Sequence, residues 1–234
     1  MLQPNGINHL AIASSDMKGT LQYFNDVLGL PLVALYWMHG AENTMHGFLA
    51  LNESSLLAFV CSPLIPDEVE IGKSHAGNPG APCSKGTMQH LAFNVDSLED
   101  LLAVRDRIRS RGIHCFGPVE HGYLQSIYFA GPEGMTLECA TLTGKDMKHW
   151  IDATTVKELG ITEEELHRLR NPIPYEQPAE PVQNAPMESA HPLKMVFPPE
   201  AYEKMLSQSD EELREHTRDD VPPDEAPSGG RAFY

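Results

Sequence analysis

Two histidines occupy equivalent places in a repeated segment of the sequence. The tetrapeptide HLAI begins at His9 and recurs as HLAF at His90. Glu138 lies in the apolar run MTLECA, where a buried carboxylate is costly unless it is paired or bound to a metal. Two imidazoles and one carboxylate form a ligand set that leaves open coordination positions, which suits Fe(II), with Mn(II) and Zn(II) as competitors. We therefore predict that His9, His90 and Glu138 are metal ligands.

The same order of elements surrounds each of the two histidines. A strand-like run at residues 7–13 or 88–95 contains the histidine, and a helical pattern follows it, ending at Gly29 or Gly112. Three further strand-like runs complete each copy, which therefore has the order β-α-β-β-β. The predicted helices are Met17–Leu28 and Leu98–Ser110, and the further strands are Leu32–Met38, Gly47–Leu51, Leu56–Cys61, His114–Phe116, Gln125–Ala130 and Met135–Thr141.

This duplication predicts an α+β fold with two tandem βαβββ modules, at about residues 5–65 and 86–143. We expect the modules to pair, because neither can cover its own sheet, and to form a curved mixed sheet around a metal-binding cavity. A pseudo-twofold relation would direct His9 and His90 into that cavity. Aligning the last strands of the two copies sets Ala58 opposite Glu138, so the first module lacks the equivalent carboxylate.

The remainder of the chain differs in composition from the modules. We place a domain at residues 1–150 and treat residues 151–234 as an acidic, proline-rich extension with irregular structure and short helices. Capping boxes at Thr162-x-x-Glu165 and Ser209-x-x-Glu212 predict two of those helices, and a third is expected at Glu200–Leu206. The extension is expected to be an arm on the domain or on a partner subunit, or a lid over the cavity.

Charge and hydropathy exclude several classes of function. The chain has 33 acidic and 17 basic residues and a formal net charge of −16, which argues against binding nucleic acid or an anionic membrane surface. No apolar run is long enough to span a bilayer, and the first residues do not have the pattern of a signal peptide. The four cysteines lack a C-x-x-C pairing and are expected to be reduced thiols. We therefore expect a cytoplasmic protein.

The duplicated module with these candidate ligands resembles the vicinal oxygen chelate superfamily, which includes glyoxalase I, bleomycin-binding proteins and type I extradiol ring-cleaving dioxygenases. The stretch from His121 through Tyr128, the turn GPEG and Glu138 is similar to the extradiol dioxygenase signature. Gly131 departs from that signature, in which this turn position is usually Asp, Glu, Asn, Thr or Ala. The resemblance covers roughly residues 5–143.

The resemblance implies roles for three further residues. Tyr128 and His121 would lie beside the metal, where Tyr128 would hold or deprotonate a substrate oxygen and His121 would donate to substrate or dioxygen. His75 lies where these dioxygenases often have an acid–base histidine, although an exposed loop histidine is the competing interpretation. The implied activity is Fe(II)-dependent cleavage of a catechol-like ring. The substrate would be a small molecule, an aromatic diol, no separate organic cofactor is expected, and a homodimer is implied by the resemblance alone.

Other functions of the same superfamily stay open. A glyoxalase or an epimerase commonly uses a second carboxylate, which Ala58 does not provide. A thiol transferase keeps the same three ligands but needs a basic pocket, and few Lys or Arg residues lie near them in the sequence. A protein that sequesters a small molecule would not need the three ligands. The remaining histidines, His39, His46, His114 and His149, are expected not to bind the metal.

Overall fold

The computed structural model describes residues 3–38, 40–187, 193–218 and 220–223. The chain divides into two compact units, of which one comprises Pro4–Met38 and Glu42–Pro172 and the other contains the described residues from Ile173 onward. Parts of the predicted irregular extension, at residues 188–192, 219 and 224–234, lie outside the described residues. His39 also lies outside them.

The first module is a four-stranded sheet with one helix. Its helix begins at Asp16, whose carboxylate accepts a hydrogen bond from the N–H of Gly19, and ends at Gly29, whose φ of 79° is left-handed. These caps explain why the helix has the bounds that the sequence predicts. The elements are β1 (His9–Ala13), α1 (Met17–Leu28), β2 (Leu32–Trp37), β3 (Met45–Asn52) and β4 (Ser55–Cys61).

The second module repeats this topology. The strand orders are β1-β4-β3-β2 in the first sheet and β5-β8-β7-β6 in the second, and in each sheet the first two strands of that order are parallel. The predicted tandem βαβββ fold is therefore confirmed. The elements are β5 (Leu91–Asn94), α2 (Leu98–Ser110), β6 (Cys115–Glu120), β7 (Leu124–Ala130) and β8 (Thr136–Leu142).

One predicted strand differs clearly from the observed one. The pattern predicts a strand over His114–Phe116, whereas β6 extends to Glu120. A register shift between Phe116 and Val119 interrupts its pairing with β7, and pairing then resumes. The second half of this strand is not predicted from the sequence, because the Gly-Pro pair within the register shift normally ends a strand pattern.

Strand register confirms the alignment of the two copies. Ala11 pairs with Ala58 between β1 and β4, and Ala92 pairs with Glu138 between β5 and β8. Because side chains on paired positions point to the same face of a sheet, Ala58 holds the place in the first sheet that Glu138 holds in the second.

The two helices and the inner faces of both sheets form one hydrophobic core. Phe24 of α1 is fully buried, and its ring centroid lies 5.1 Å from that of Phe59 in the first sheet and 6.3 Å from that of Phe93 in the second. Burial of such a side chain contributes roughly 1.5–3 kcal/mol. Phe24 therefore packs α1 against both sheets.

Polar contacts also join the modules. Arg107 of α2 donates to the carbonyls of Val27 and Asp26 at the end of α1. The hydroxyl of Tyr23 donates to the carbonyl of Ala130, at the end of β7. Within the described residues, however, no strand ladder connects the two sheets, and β1 and β5 each have an unpaired outer edge.

The residues after the second module form short helices. Both predicted capping boxes are present, at Thr162 and at Ser209. The structure adds a six-residue helix that the sequence pattern did not predict, because it spans fewer than two turns. The helices are α3 (Ala153–Glu158), α4 (Glu163–Arg170), α5 (Pro199–Ser207) and α6 (Asp210–His216). Among the described residues, no helix combines the length and the apolar character needed to cross a bilayer.

Candidate metal centre

His90 and Glu138 form the centre of the candidate site. Nε2 of His90 lies 2.9 Å from Oε2 of Glu138, and only 5% of the Glu138 side chain is exposed to solvent. An imidazole nitrogen and a carboxylate oxygen at this distance attract each other only with a proton or a cation between them, because both atoms are otherwise acceptors. The pair therefore fits two ligands of a divalent metal ion.

A second pair of polar groups lies beside the first, on the face of the sheet that points away from the helices. Tyr128 pairs with Glu138 in the strand register, as their even separation predicts. The hydroxyl of Tyr128 lies 3.0 Å from Nε2 of His121, within hydrogen-bond distance. Burial, followed by the nearby Glu138 carboxylate, raises the pKa of Tyr128, so its hydroxyl is neutral at physiological pH.

An aromatic side chain extends this face. Phe116 stacks on Tyr128 with a centroid distance of 5.2 Å and an interplanar angle of 26°, yet 55% of Phe116 is exposed. An exposed aromatic ring beside buried polar groups is a favourable surface for a planar ligand. The sequence does not indicate Phe116 as a site residue, because the predicted strand ends there and the face it shares with Tyr128 is not evident.

The segment after the second module supports the loop that contains His121. Trp150 packs on Tyr123 at a centroid distance of 5.2 Å. A Cβ atom on Gly122 would lie 2.6 Å from Cζ2 of Trp150. Thr143 also donates to the carbonyls of Tyr123 and Gly122. These contacts fix the position of His121 relative to Tyr128.

His9 occupies the equivalent position to His90 but is not close to the ligand pair. Its ring is exposed and contacts Phe48, with a centroid distance of 5.7 Å. Among the described residues of one chain, no group of three or more His, Cys, Asp or Glu side chains has the arrangement of a metal site. One chain therefore brings together His90 and Glu138, and places His9 on the other sheet.

His75 lies in the loop between the two modules, where it forms an isolated bridge with Ile71. Nδ1 of its ring is 2.9 Å from the hydroxyl of Ser74. Its ring packs near Gly134, just before the start of β8: a Cβ atom on Gly134 would lie 3.7 Å from the ring carbon Cδ2. In the described part of the chain, the polar contacts of His75 are with its own loop, and its catalytic role stays a prediction.

Gly131 departs from the dioxygenase signature for a packing reason. A Cβ atom at this position would lie 2.8 Å from Cδ1 of Leu137, a fully buried core residue. The usual signature residues all have a Cβ atom, so they would require this turn to move. The departure is therefore an adjustment of the turn to the core and leaves Glu138 in place.

The corresponding face of the first module is apolar and aromatic. His46 packs on Phe48 and Tyr36 with centroid distances of 4.2 and 5.9 Å. Burial lowers the pKa of His46, and its Nε2 is buried and has no hydrogen-bond partner in the described structure. Phe48 pairs with Ala58 as Tyr128 pairs with Glu138. His46, two residues before Phe48, is therefore equivalent to Ser126, two residues before Tyr128.

A groove of about 690 Å³ lies between the modules, next to the unpaired edges of β1 and β5. Leu10 and Leu57 line it on one side and Leu91 and Phe93 on the other. Neither His90 nor Glu138 lines this groove. The candidate site is therefore the open face of the second sheet and not the groove.

Comparison with known proteins identifies the family. The model of the Glyoxalase/Bleomycin resistance protein/Dioxygenase superfamily matches residues 6–139. The chain belongs to this superfamily. The matched residues extend from just before β1 into β8, and they include His9, His90 and Glu138.

Two relatives are named for an activity. The chain is 38% identical over 61 residues to biphenyl-2,3-diol 1,2-dioxygenase 2 of Rhodococcus globerulus, which covers 26% of this chain and 30% of that enzyme. It is 25% identical over 130 residues to biphenyl-2,3-diol 1,2-dioxygenase 3 of the same organism, covering 56% and 60%. The chain thus spans less than two thirds of either dioxygenase.

Two further proteins to which this chain is similar have about the length of the two modules. The uncharacterized protein YaeR of Escherichia coli (strain K12) is 26% identical over 140 residues, which cover 59% of this chain and 97% of YaeR. The solved structure of a glyoxylase/bleomycin resistance protein/dioxygenase domain from Frankia sp. EAN1pec matches with a TM-score of 0.49 and 14% identity, covering 60% of this chain and 99% of that one.

Proposed function

We propose that this chain is a cytoplasmic Fe(II)-dependent dioxygenase that cleaves the ring of a catechol-like aromatic diol. The observation that carries the proposal is the pairing of His90 with Glu138 directly beside the pairing of Tyr128 with His121. Similarity to two biphenyl-2,3-diol 1,2-dioxygenases supports this reaction class. The four free cysteines are consistent with a reducing compartment.

The donor set favours Fe(II) over other divalent ions. His90 and Glu138 supply one nitrogen and one oxygen, and His9 is the remaining candidate nitrogen ligand. Two imidazoles and one carboxylate on one side of a metal are typical of Fe(II) oxygenases, and Mn(II) and Zn(II) accept the same ligands. A bound Fe(II) would supply a Lewis-acidic centre that chelates vicinal oxygens and passes electrons to dioxygen.

The neighbouring residues have separate tasks in this proposal. Tyr128 presents a neutral hydroxyl that hydrogen-bonds an oxygen of the diol. His121, 3.0 Å from that hydroxyl, accepts or delivers the proton, since the unperturbed pKa of an imidazole lies near neutrality. The exposed ring of Phe116 stacks on the aromatic substrate.

The third ligand comes from a second copy of the chain in a homodimer. His9 lies on edge strand β1 and His90 immediately precedes edge strand β5, and within one chain the two histidines do not meet. The partner subunit's His9 would complete the site if the two edges approach each other in the dimer. A twofold axis would form two such sites.

Oxygen uptake by anaerobically Fe(II)-loaded protein, measured with a panel of substituted catechols, tests the activity. We expect uptake that requires Fe(II) and is lost in Glu138→Ala together with the metal. Tyr128→Phe should keep the metal and lose about tenfold in turnover, because it removes a hydrogen bond to the diol oxygen that contributes about 1.4 kcal/mol.

Two results would contradict the proposal. Stoichiometric metal binding without oxygen uptake on any catechol would shift the assignment to Lewis-acid chemistry, with hemithioacetals, epoxides and CoA thioesters as the next substrates. Unchanged turnover in Tyr128→Phe would remove the role of its hydroxyl.

Mixing two inactive variants tests where the third ligand comes from. Unfolded His9→Ala and Glu138→Ala chains, refolded together, should recover about a quarter of wild-type activity, since half of random dimers are mixed and each mixed dimer has one intact site. No recovery, with dimers formed, would locate all three ligands within one chain.

A further inference from the structure

An amide side chain contacts the Nδ1 atom of each repeated histidine. Oδ1 of Asn8 lies 2.8 Å from Nδ1 of His9, and Oε1 of Gln89 contacts Nδ1 of His90. The two amides are at the same position of the repeat, immediately before the histidine. This contact between an amide oxygen and a histidine Nδ1 therefore occurs once in each module.

The surroundings of Gln89 fix which way its amide points. Its Nε2 donates to the carbonyls of Pro79 at 2.9 Å, Ala81 at 3.0 Å and Asn78 at 3.3 Å. Carbonyl oxygens only accept hydrogen bonds, so the NH₂ group must face this loop and Oε1 must face His90. Oε1 also only accepts, and Nδ1 of His90 must therefore bear the proton.

We infer that Gln89 is a positioning residue, which sets the tautomer and ring orientation of His90 and ties them to the loop at residues 78–81. With the proton on Nδ1, the lone pair of Nε2 is available to a metal ion that Glu138 also binds. Histidine ligands generally donate their second ring nitrogen to a fixed acceptor, and loss of that acceptor weakens metal binding. Asn8 makes the corresponding contact with His9. The inference rests on the proposed metal centre.

The first measurement is Zn(II) affinity by competition with a chelator, for wild type, Gln89→Met and Gln22→Met. Methionine preserves length without the amide, and Gln22 is an exposed glutamine of α1, so Gln22→Met is the matched control. We expect Gln89→Met to bind Zn(II) about 10–100-fold more weakly and the control to equal wild type. Thermal unfolding of the metal-free variants shows whether the fold is intact.

The second measurement needs no metal. ¹⁵N spectra of imidazole nitrogens are recorded on metal-free Glu138→Ala, which lacks the competing carboxylate, at about pH 8.5, about two units above the usual imidazole pKa of about 6.5. We expect His90 to be protonated on Nδ1, and adding Gln89→Met should move the proton toward Nε2.

The results separate this inference from the proposed function. Zn(II) affinity of Gln89→Met within twofold of the control, or an Nε2-protonated His90 while Gln89 is intact, would overturn the inference. A wild type that binds no metal would overturn the proposed function, while the ¹⁵N spectra would still decide the assignment of Gln89. If Gln89→Met does not fold, the spectra of Glu138→Ala alone decide it.

Discussion

Replacement of Arg107 by methionine should weaken the docking of the two modules. Nε of Arg107 donates to the carbonyl of Val27 at 2.9 Å, and Nη2 donates to that of Asp26 at 3.0 Å. These carbonyls are in the last turn of α1, where helix carbonyls lack partners within the helix and a cation is favourable. Methionine keeps most of the apolar stem and removes both donors.

The magnitude follows from these two bonds. A hydrogen bond that involves a charged group contributes about 1.5–3 kcal/mol, but water can replace the more exposed bond, to Asp26. We therefore expect Arg107→Met to lower the free energy of unfolding by about 2 kcal/mol. For a unit of this size, that corresponds to a decrease in Tm of roughly 4–8 °C.

Calorimetry and urea unfolding of Arg107→Met and Arg168→Met provide the assay. Arg168 is exposed and its carboxylate partner, Glu164, is 3.8 Å away in the same helix, so its replacement should cost at most about 0.5 kcal/mol. If Arg107→Met is no less stable than Arg168→Met, the carbonyl contacts do not hold the modules together and the reasoning is refuted.

Two further changes test other contacts. Glu133 accepts hydrogen bonds from the N–H and hydroxyl of Ser15 at 2.7 and 2.6 Å; burial opposes its ionisation, but these bonds lower its pKa below the usual 4.5. Glu133→Gln should therefore lower the free energy of unfolding by about 1–2 kcal/mol at pH 7. In urea unfolding, the difference from wild type should decrease only as the pH falls below 4.5 and through the lower pKa of the folded state. An unchanged difference at about pH 3 would contradict this prediction. Gly122→Ala should displace Trp150, change tryptophan fluorescence and lower turnover. Gly144 has a similar positive φ but open space around it, so Gly144→Ala should lower the free energy of unfolding only by the backbone strain of about 1 kcal/mol. Equal effects of the two variants would exclude the contact with Trp150.

The sequence alone predicts the modules well because their signals are local. The cap at Asp16 and the left-handed Gly29 define α1, and the repeated HLA string aligns two modules that are far apart in the chain. The alignment then predicts that Ala58 corresponds to Glu138, and the observed register confirms it. Periodicity and caps depend only on neighbouring residues, so they can be read without a structure.

The contacts around the candidate site were harder to predict. The reach of Gln89 to residues 78–81 depends on the path of a loop that has no periodic pattern, although an amide before each histidine was a visible signal. The position of His9 depends on how two sheets are placed relative to each other, and strand patterns contain no information about that. The loop of His75 has the same difficulty, since its turn against Gly134 follows from neither hydropathy nor spacing.

The contiguity of each sheet has a consequence for folding kinetics. All strands of the first sheet lie within residues 9–61 and all strands of the second within residues 91–142, so each sheet closes only short loops as it forms. We therefore expect the docking of the two sheets around Phe24 to be the late event in folding. Contacts made only in that event, such as those of Arg107, slow the unfolding of the native protein and have little effect on its folding rate.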